Sequence, residues 1–192
     1  EVFCFISLWC LAAQRKGMVI KMKNTACFIR FYDSPVGRIA LTSDGDSLTG
    51  LYIKNQTGYP GAESSINVSP VFLTVFKTAE RWLDDYFSGI EPKTAPPISV
   101  SGTEFQKTVW DRLKLIPYGK TVTYGELAAE IAKKRGMKRM SAQAVGNAVG
   151  KNPVSIIVPC HRVIGSDGSL TGYNGGLEIK EKLLTVERGE SI

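Results

Sequence analysis

Pro159-Cys160-His161-Arg162 places the one histidine of the chain directly after one of its four cysteines. A thiol with an ordinary pKa of about 8.5 needs a base or positive surroundings to act as a nucleophile at neutral pH. Imidazole is such a base. The preceding run Val154-Ser155-Ile156-Ile157-Val158 is short and β-branched, and it predicts a buried strand ending at the cysteine. Neighbours in a strand point to opposite faces. His161 therefore reaches Cys160 only if the chain turns there, or through a water. Taken alone, the dipeptide fits a structural cysteine as well as a nucleophile.

Metal chemistry is not expected. Cys4, Cys10, Cys27 and Cys160 match no CxxC or CxxH spacing, and no cofactor motif is present. Four cysteines in 192 residues do not make a disulfide framework, which points to a reducing compartment, the cytoplasm. No apolar run reaches the 18 or so residues that span a bilayer. The apolar stretch from Val2 to Ala13 is followed by Gln14-Arg15-Lys16, whereas a secretory signal carries its positive charge in front. Residues 1–17 read as a non-native or leader segment, with Met18 or Met22 as natural starts and a membrane-surface anchor as the alternative.

The elements that position the Cys-His pair follow from periodicity and turn chemistry. The β-rich runs 27–32, 37–43 and 48–55 are separated by Asp33-Ser34-Pro35 and Asp44-Gly45-Asp46, which predicts an antiparallel meander. Residues 56–70 read as a loop. Phe72, Val75, Phe76, Ala79, Leu83, Tyr86 and Phe87 then recur on one face of a helix over about 71–88, which Gly89 ends. The proline-rich segment 91–97 is the expected boundary between units. Beyond it, Thr103-Glu104-Phe105-Gln106 and Thr123-Tyr124-Gly125-Glu126 are capping boxes that open two helices. Ser141 caps a third, Ala142 to Gly150, after which Asn152-Pro153 breaks the chain. Helix, turn and helix in this order outline a helix-turn-helix unit.

Composition and charge agree with a globular chain that meets a polyanion. Hydrophobic residues make up 43% and charged residues 22%, which excludes a disordered tail or a collagen-like fibre. The net charge is +6, and residues 99–192 carry +5 of it. Five of the seven residues from Lys133 to Arg139 are basic, either a solvated loop or a phosphate-contacting patch. The following helix is slim, with Ala142, Ala144, Gly146 and Ala148. It suits close packing against a neighbour or close approach to a groove, with Gln143 and Asn147 as its polar reach.

Residues 152–176, NPVSIIVPCHRVIGSDGSLTGYNGG, closely resemble the active-site region of the O6-alkylguanine-DNA alkyltransferases, the methylated-DNA–protein-cysteine methyltransferases. The resemblance runs from about Phe105 to Glu187, and more loosely over residues 26–90. It implies an α+β fold in two parts. A small ribonuclease H-like unit of antiparallel sheet and helix (18–97) precedes a mainly helical winged helix-turn-helix alkyltransferase unit (98–192).

The resemblance also implies roles. Cys160 would accept the alkyl group, His161 would act on it through a water, and Glu187 would orient His161. Asn152 would tie the helix-turn-helix to the active-site segment, and Tyr124 would donate to the purine and help rotate its nucleotide. Tyr173 would line the pocket, while the backbones of Asn174 and Val163 would contact the base. Ser141, Ala142, Gln143 and Asn147 would meet the minor groove of double-stranded DNA carrying O6-alkylguanine, and Lys138 and Arg139 its phosphates. Gln143 stands where many members carry an intercalating arginine, which predicts somewhat weaker DNA binding with activity retained. The implied activity is a single-turnover, cofactor-free repair transfer by a monomer, with O4-alkylthymine left open as a second substrate. The alternatives are a non-catalytic lesion sensor, which would lack the cysteine, and a cysteine hydrolase.

Overall fold

The computed structural model describes residues 28–60 and 74–190. The segment 1–17, the other three cysteines and the expected first helical residues 71–73 lie outside the described residues.

Three strands, β1 (Phe28–Ser34), β2 (Gly37–Ser43) and β3 (Leu48–Ile53), pair antiparallel in sequence order, as the turn chemistry predicts. In the second turn Asp44 Oδ1 accepts from the Asp46 and Ser47 amides at 3.1 and 2.8 Å, and Gly45 takes φ +113°. A side chain with a short acceptor and a residue free of Cβ make this bend cheap. β2 is the central strand and is buried from Ile39 to Ser43. α1 (Thr74–Phe87) buries Val75, Phe76, Ala79, Trp82, Leu83 and Tyr86 in the core shared with the sheet residues Ile39, Leu41, Leu51 and Ile53. Gly89, at φ +75°, ends it: its amide bonds the Tyr86 carbonyl and the Ile90 amide bonds that of Asp85.

The second unit comprises α2 (Glu104–Leu113), β4 (Val122–Thr123), α3 (Tyr124–Lys134), α4 (Ala142–Gly150), β5 (Val163–Ile164) and α5 (Leu177–Glu187). Both capping boxes form, and Ser141 Oγ accepts from the Ala144 amide at 3.3 Å. The buried faces of α2, α3 and α4 meet through Val109, Trp110, Leu113, Leu127, Ile131, Val145 and Val149. Trp110 Nε1 also donates to the Ala148 carbonyl at 2.9 Å, locking α2 to α4. β4 and β5 pair in parallel, Val122 with Val163 and Thr123 with Ile164. This pairing brings the start of α3 beside the residues that precede β5.

The outer edge of β3 joins the two units. The Leu48 amide donates to the Pro97 carbonyl and the Leu51 amide to that of Pro153, at 2.8 and 2.9 Å. In return, the Ser99 and Ser155 amides donate to Leu48 and Leu51. The strand expected over 154–158 does not form. Val154 makes one bridge to Leu51, after which the chain turns and Ile156 adopts φ +68°, an outlier for a β-branched residue. Asn152 explains the difference. Its side chain accepts from the Val154 amide and donates to the Val154 and Val158 carbonyls, replacing ladder bonds with a local knot.

Among the described residues no helix is long and apolar enough to cross a membrane, and no cluster of three His, Cys, Asp or Glu side chains could hold a metal ion.

Candidate active site

The Asn152 knot ends in a 3-10 turn, Cys160–Arg162, instead of a strand end. The chain therefore bends at the Cys-His dipeptide, and the two side chains are freed from the opposed directions of an extended backbone. Cys160 is buried, and its Sγ accepts from Asn152 Nδ2 at 3.2 Å. His161 is fully buried. Its Nε2 lies 2.6 Å from Glu187 Oε1, while its Nδ1 is buried without a protein partner.

Glu187 sits in a cage of donors. Arg162 Nε and Nη2 donate to its carboxylate at 2.9 Å, the Gly119 amide donates at 3.0 Å, and Tyr86 Oη donates at 3.0 Å. Arg162 Nη1 closes the network on the Ile116 carbonyl at 2.6 Å. Gly119 has φ +69°, and a Cβ there would stand 3.1 Å from the Glu187 carbonyl, so the turn at 117–120 needs glycine to approach this closely.

The charges follow from this geometry. Burial would push the Glu187 carboxyl up, but hydrogen bonds and charge from His161 and Arg162 outweigh it and hold the group at about 2. Burial holds His161 below its ordinary value, with Glu187 pulling partly against it. The imidazole is therefore neutral at pH 7. With Nε2–H donated to Glu187, the basic lone pair is on Nδ1. Burial pushes the Cys160 thiol up, opposed by the Asn152 hydrogen bond and the Lys180 charge. The resting pair is thus thiol and imidazole, and the nucleophile forms only when a proton leaves.

On the other side of the cysteine stand the residues of the GYNGG segment. Tyr124 begins α3 directly after β4, and its hydroxyl donates to the Thr171 and Gly172 carbonyls at 3.2 and 3.4 Å. Gln56, Asn152, Ser155, Cys160, Tyr173 and Asn174 are among the residues that line a cavity of about 10 Å³, room for about one water molecule. Tyr173 Oη and Gln56 Nε2 are buried there without partners. Asn174 Oδ1 accepts from the Thr57 amide at 3.4 Å. The Val163 carbonyl, a candidate base contact, is engaged by Lys180 Nζ at 2.6 Å, and Lys180 also holds the Thr171 carbonyl at 2.7 Å.

The candidate DNA contacts form a separate, exposed face. Ala142, Gln143 and Asn147 are exposed on α4, as is its cap Ser141, and Lys138 and Arg139 are exposed in the connection before it. Arg135 lies over the Phe105 ring, 5.6 Å from its centroid, so one cation of the basic run turns back onto the fold.

Four contributors escape a reading of the sequence. Tyr86 looks like one more residue of an apolar helical face, and Gln56 like a loop residue. Arg162 belongs to the PCHRV run but has no chemistry of its own. Lys180 carries a signal: it falls on the same stripe as Leu183, Leu184 and Glu187, where a charge is out of place.

A buried thiol next to a buried imidazole and carboxylate, in a unit with the helix order of a helix-turn-helix, has the parts of a DNA-associated cysteine acceptor. Residues 28–99 match the family model described as 6-O-methylguanine DNA methyltransferase, ribonuclease-like domain, and residues 104–189 match its DNA binding domain. The chain belongs to the methylated-DNA–protein-cysteine methyltransferase family. A Methanosarcina barkeri protein of that name is 52% identical over 161 residues, spanning 82% of this chain and 96% of that one. A Haemophilus influenzae protein of the same name is 42% identical over 166 residues, 85% of this chain and 88% of its own. The crystal structure of Mycobacterium tuberculosis OGT in complex with DNA superposes with a TM-score of 0.70 at 39% identity, covering 85% of this chain and 94% of that chain.

Proposed function

We propose that this chain repairs DNA directly, moving the alkyl group of O6-alkylguanine onto Cys160 once per molecule. The observation that carries the reading is a pair of buried contacts, Asn152 on Cys160 and Glu187 on His161 Nε2, with His161 Nδ1 buried beside them and holding no protein partner. Through a bridging water, Nδ1 takes the thiol proton, and Glu187 stabilises the imidazolium. Sγ attacks the alkyl carbon, the carbon–O6 bond breaks, and its electron pair leaves with the guanine. Tyr124 donates toward the purine ring, countering the charge that develops there. The product is a thioether. His161 and Glu187 have no means to cleave it, so turnover stops at one.

The target atom is inaccessible in a stacked duplex, and flipping the nucleotide out costs a few kcal/mol. Double-stranded DNA is approached from the minor groove by α4, whose small residues permit close contact. Lys138 and Arg139 neutralise phosphates, and Gln143 fills the gap left by the base. The small cavity beside Cys160 opens when segment 171–174 yields, releasing Tyr124 from the Thr171 and Gly172 carbonyls. Val163, Tyr173 and Asn174 then frame the base. A division into units 18–97 and 98–192 is part of this reading, supported by family matches that stop at 99 and resume at 104.

The test is the intact mass of the protein after incubation with a duplex carrying O6-methylguanine. One added methyl group, absent from Cys160→Ser, is expected. Binding without any mass change would replace the proposal with a lesion sensor, and many substrates consumed per chain would replace it with a hydrolase.

A further inference from the structure

Tyr86 comes from α1, in the unit that carries no nucleophile, yet its hydroxyl enters the cage around Glu187. Tyr86 is fully buried. Its Oη donates to Glu187 Oε1 at 3.0 Å, stands 3.3 Å from His161 Nε2, and lies 3.3 Å from the Leu183 carbonyl. The ring is held on three sides. Trp82 stacks on it at 5.4 Å, and Phe87 and Tyr118 meet it edge-on at 5.3 and 5.9 Å. Its edge-on contact with the His161 ring has a centroid distance of 6.3 Å. Any buried tyrosine hydroxyl needs a hydrogen-bond partner, and this one takes the carboxylate oxygen that also holds His161.

We infer that Tyr86 is a positioning residue for the alkyl transfer: its hydroxyl fixes the Glu187 carboxylate against His161 and draws off part of the carboxylate's charge. The inference rests on the proposed reading of Cys160, His161 and Glu187. The chemistry is simple. Oε1 of Glu187 accepts from both Tyr86 and His161, so the two donors share one oxygen. Remove the hydroxyl, and the carboxylate gives more of its charge to the imidazole. The other charged and titratable groups facing this pair are Arg162 on the turn, Tyr118 after α2, Lys180 on α5 and Cys160 itself, and none of them is altered by the change. A tighter hold on the imidazolium keeps His161 protonated to a higher pH, where it cannot accept the thiol proton. The unit built on β1–β3 and α1 thereby sets the pH at which the distant cysteine becomes reactive.

The experiment is the rate of methyl transfer from a duplex carrying O6-methylguanine, followed by intact mass between about pH 5 and 9. The proteins are the unaltered chain, Tyr86→Phe and Trp82→Phe. Tyr86→Phe keeps the ring and its three aromatic neighbours, so it retains the packing. Its acid limb is expected to move up by as much as about one pH unit, slowing transfer about tenfold on that limb while the alkaline plateau stays within about twofold. Trp82→Phe disturbs the packing of the same ring without touching the hydroxyl, and its limb is expected to stay in place. An unmoved limb in Tyr86→Phe, with either an unchanged rate or a smaller active fraction, overturns the inference. Equal limb shifts in both variants also overturn it, since packing would then be the cause. If the unaltered chain transfers no methyl group, the underlying reading fails instead, and the two failures are told apart.

Discussion

Glu187 Oε1 lies 2.6 Å from His161 Nε2, and the same carboxylate carries the side chain of Arg162, the next residue along. One acid from the last turn of α5 thus holds both neighbours of the cysteine's turn. It serves as hydrogen-bond acceptor for His161 and as counter-ion for a buried guanidinium. Glu187→Gln is expected to damage both functions. The amide can accept from one of them, but Arg162 is left buried without an opposing charge, a loss of about 3–5 kcal/mol. Thermal unfolding measures the first effect. The methyl-transfer rate of the folded fraction measures the second and is expected to fall at least about tenfold. A variant as stable and as fast as the parent would show that the pair is incidental.

The same network predicts acid sensitivity. Glu187 has its carboxyl lowered from 4.5 to about 2 in the fold, so its contribution is complete above pH 4.5 and fades as the pH falls through 2. That contribution is on the order of 3 kcal/mol. His161 is also lowered, from 6.5, because burial disfavours its charged form. The unfolded chain therefore binds a proton there first, and stability is lost as the pH falls below 6.5. Both groups act with the same sign. Melting temperatures measured from pH 7 to 3 are expected to decline in two stages, and Glu187→Gln is expected to flatten the lower one. A melting temperature constant to pH 3 would contradict both assignments.

Much of this arrangement was legible in the sequence, and the reasons differ by element. The capping boxes at Thr103 and Thr123 are local rules satisfied within four residues, so they read correctly. The meander was readable because Asp44 and Gly45 supply their own turn. The 154–158 run was misread because its β-branched composition suits a strand, whereas a single side chain, Asn152, overrides that preference with three hydrogen bonds. Nothing in a linear pattern announces that. Tyr86 and Gln56 were invisible for a related reason. Their roles depend on the edge of β3 and the face of α1 meeting residues 99 to 101 positions away. By its place in the sequence alone, Glu187 is indistinguishable from a solvated residue near a helix end. Its actual burial comes from packing against α1 and the Cys-His turn.

Tyr124→Phe isolates the purine side of the site. The hydroxyl bonds only the Thr171 and Gly172 carbonyls in this structure, both at exposed positions, so its loss is expected to change stability little. In the proposed transfer step, by contrast, the donor toward the leaving guanine would be gone. Removing one such preorganised donor slows comparable reactions by about 10²–10³-fold. Single-turnover rates on the methylated duplex are expected to fall in that range while Cys160 keeps its reactivity toward a small thiol reagent. A parent-like transfer rate would remove Tyr124 from the chemistry.

The basic connection and α4 should separate affinity from lesion choice. Lys138 and Arg139 are exposed, and phosphate contacts position a protein without selecting a base. Lys138→Ala and Arg139→Ala are each expected to weaken binding to methylated and unmodified duplexes equally, lowering the slope of log affinity against log salt by about 1. Gln143→Arg adds a cation on the outer face of α4 and is expected to raise that slope by a similar amount. Its transfer rate should hold or rise, because an inserted arginine both fills the space of the flipped base and attracts the strand. Titrations at several salt concentrations, paired with single-turnover rates, check all three variants. A loss of discrimination in Lys138→Ala, or a large drop in transfer by Gln143→Arg, would mean that α4 meets DNA in another orientation, and the separation of charged face from uncharged pocket would fail with it.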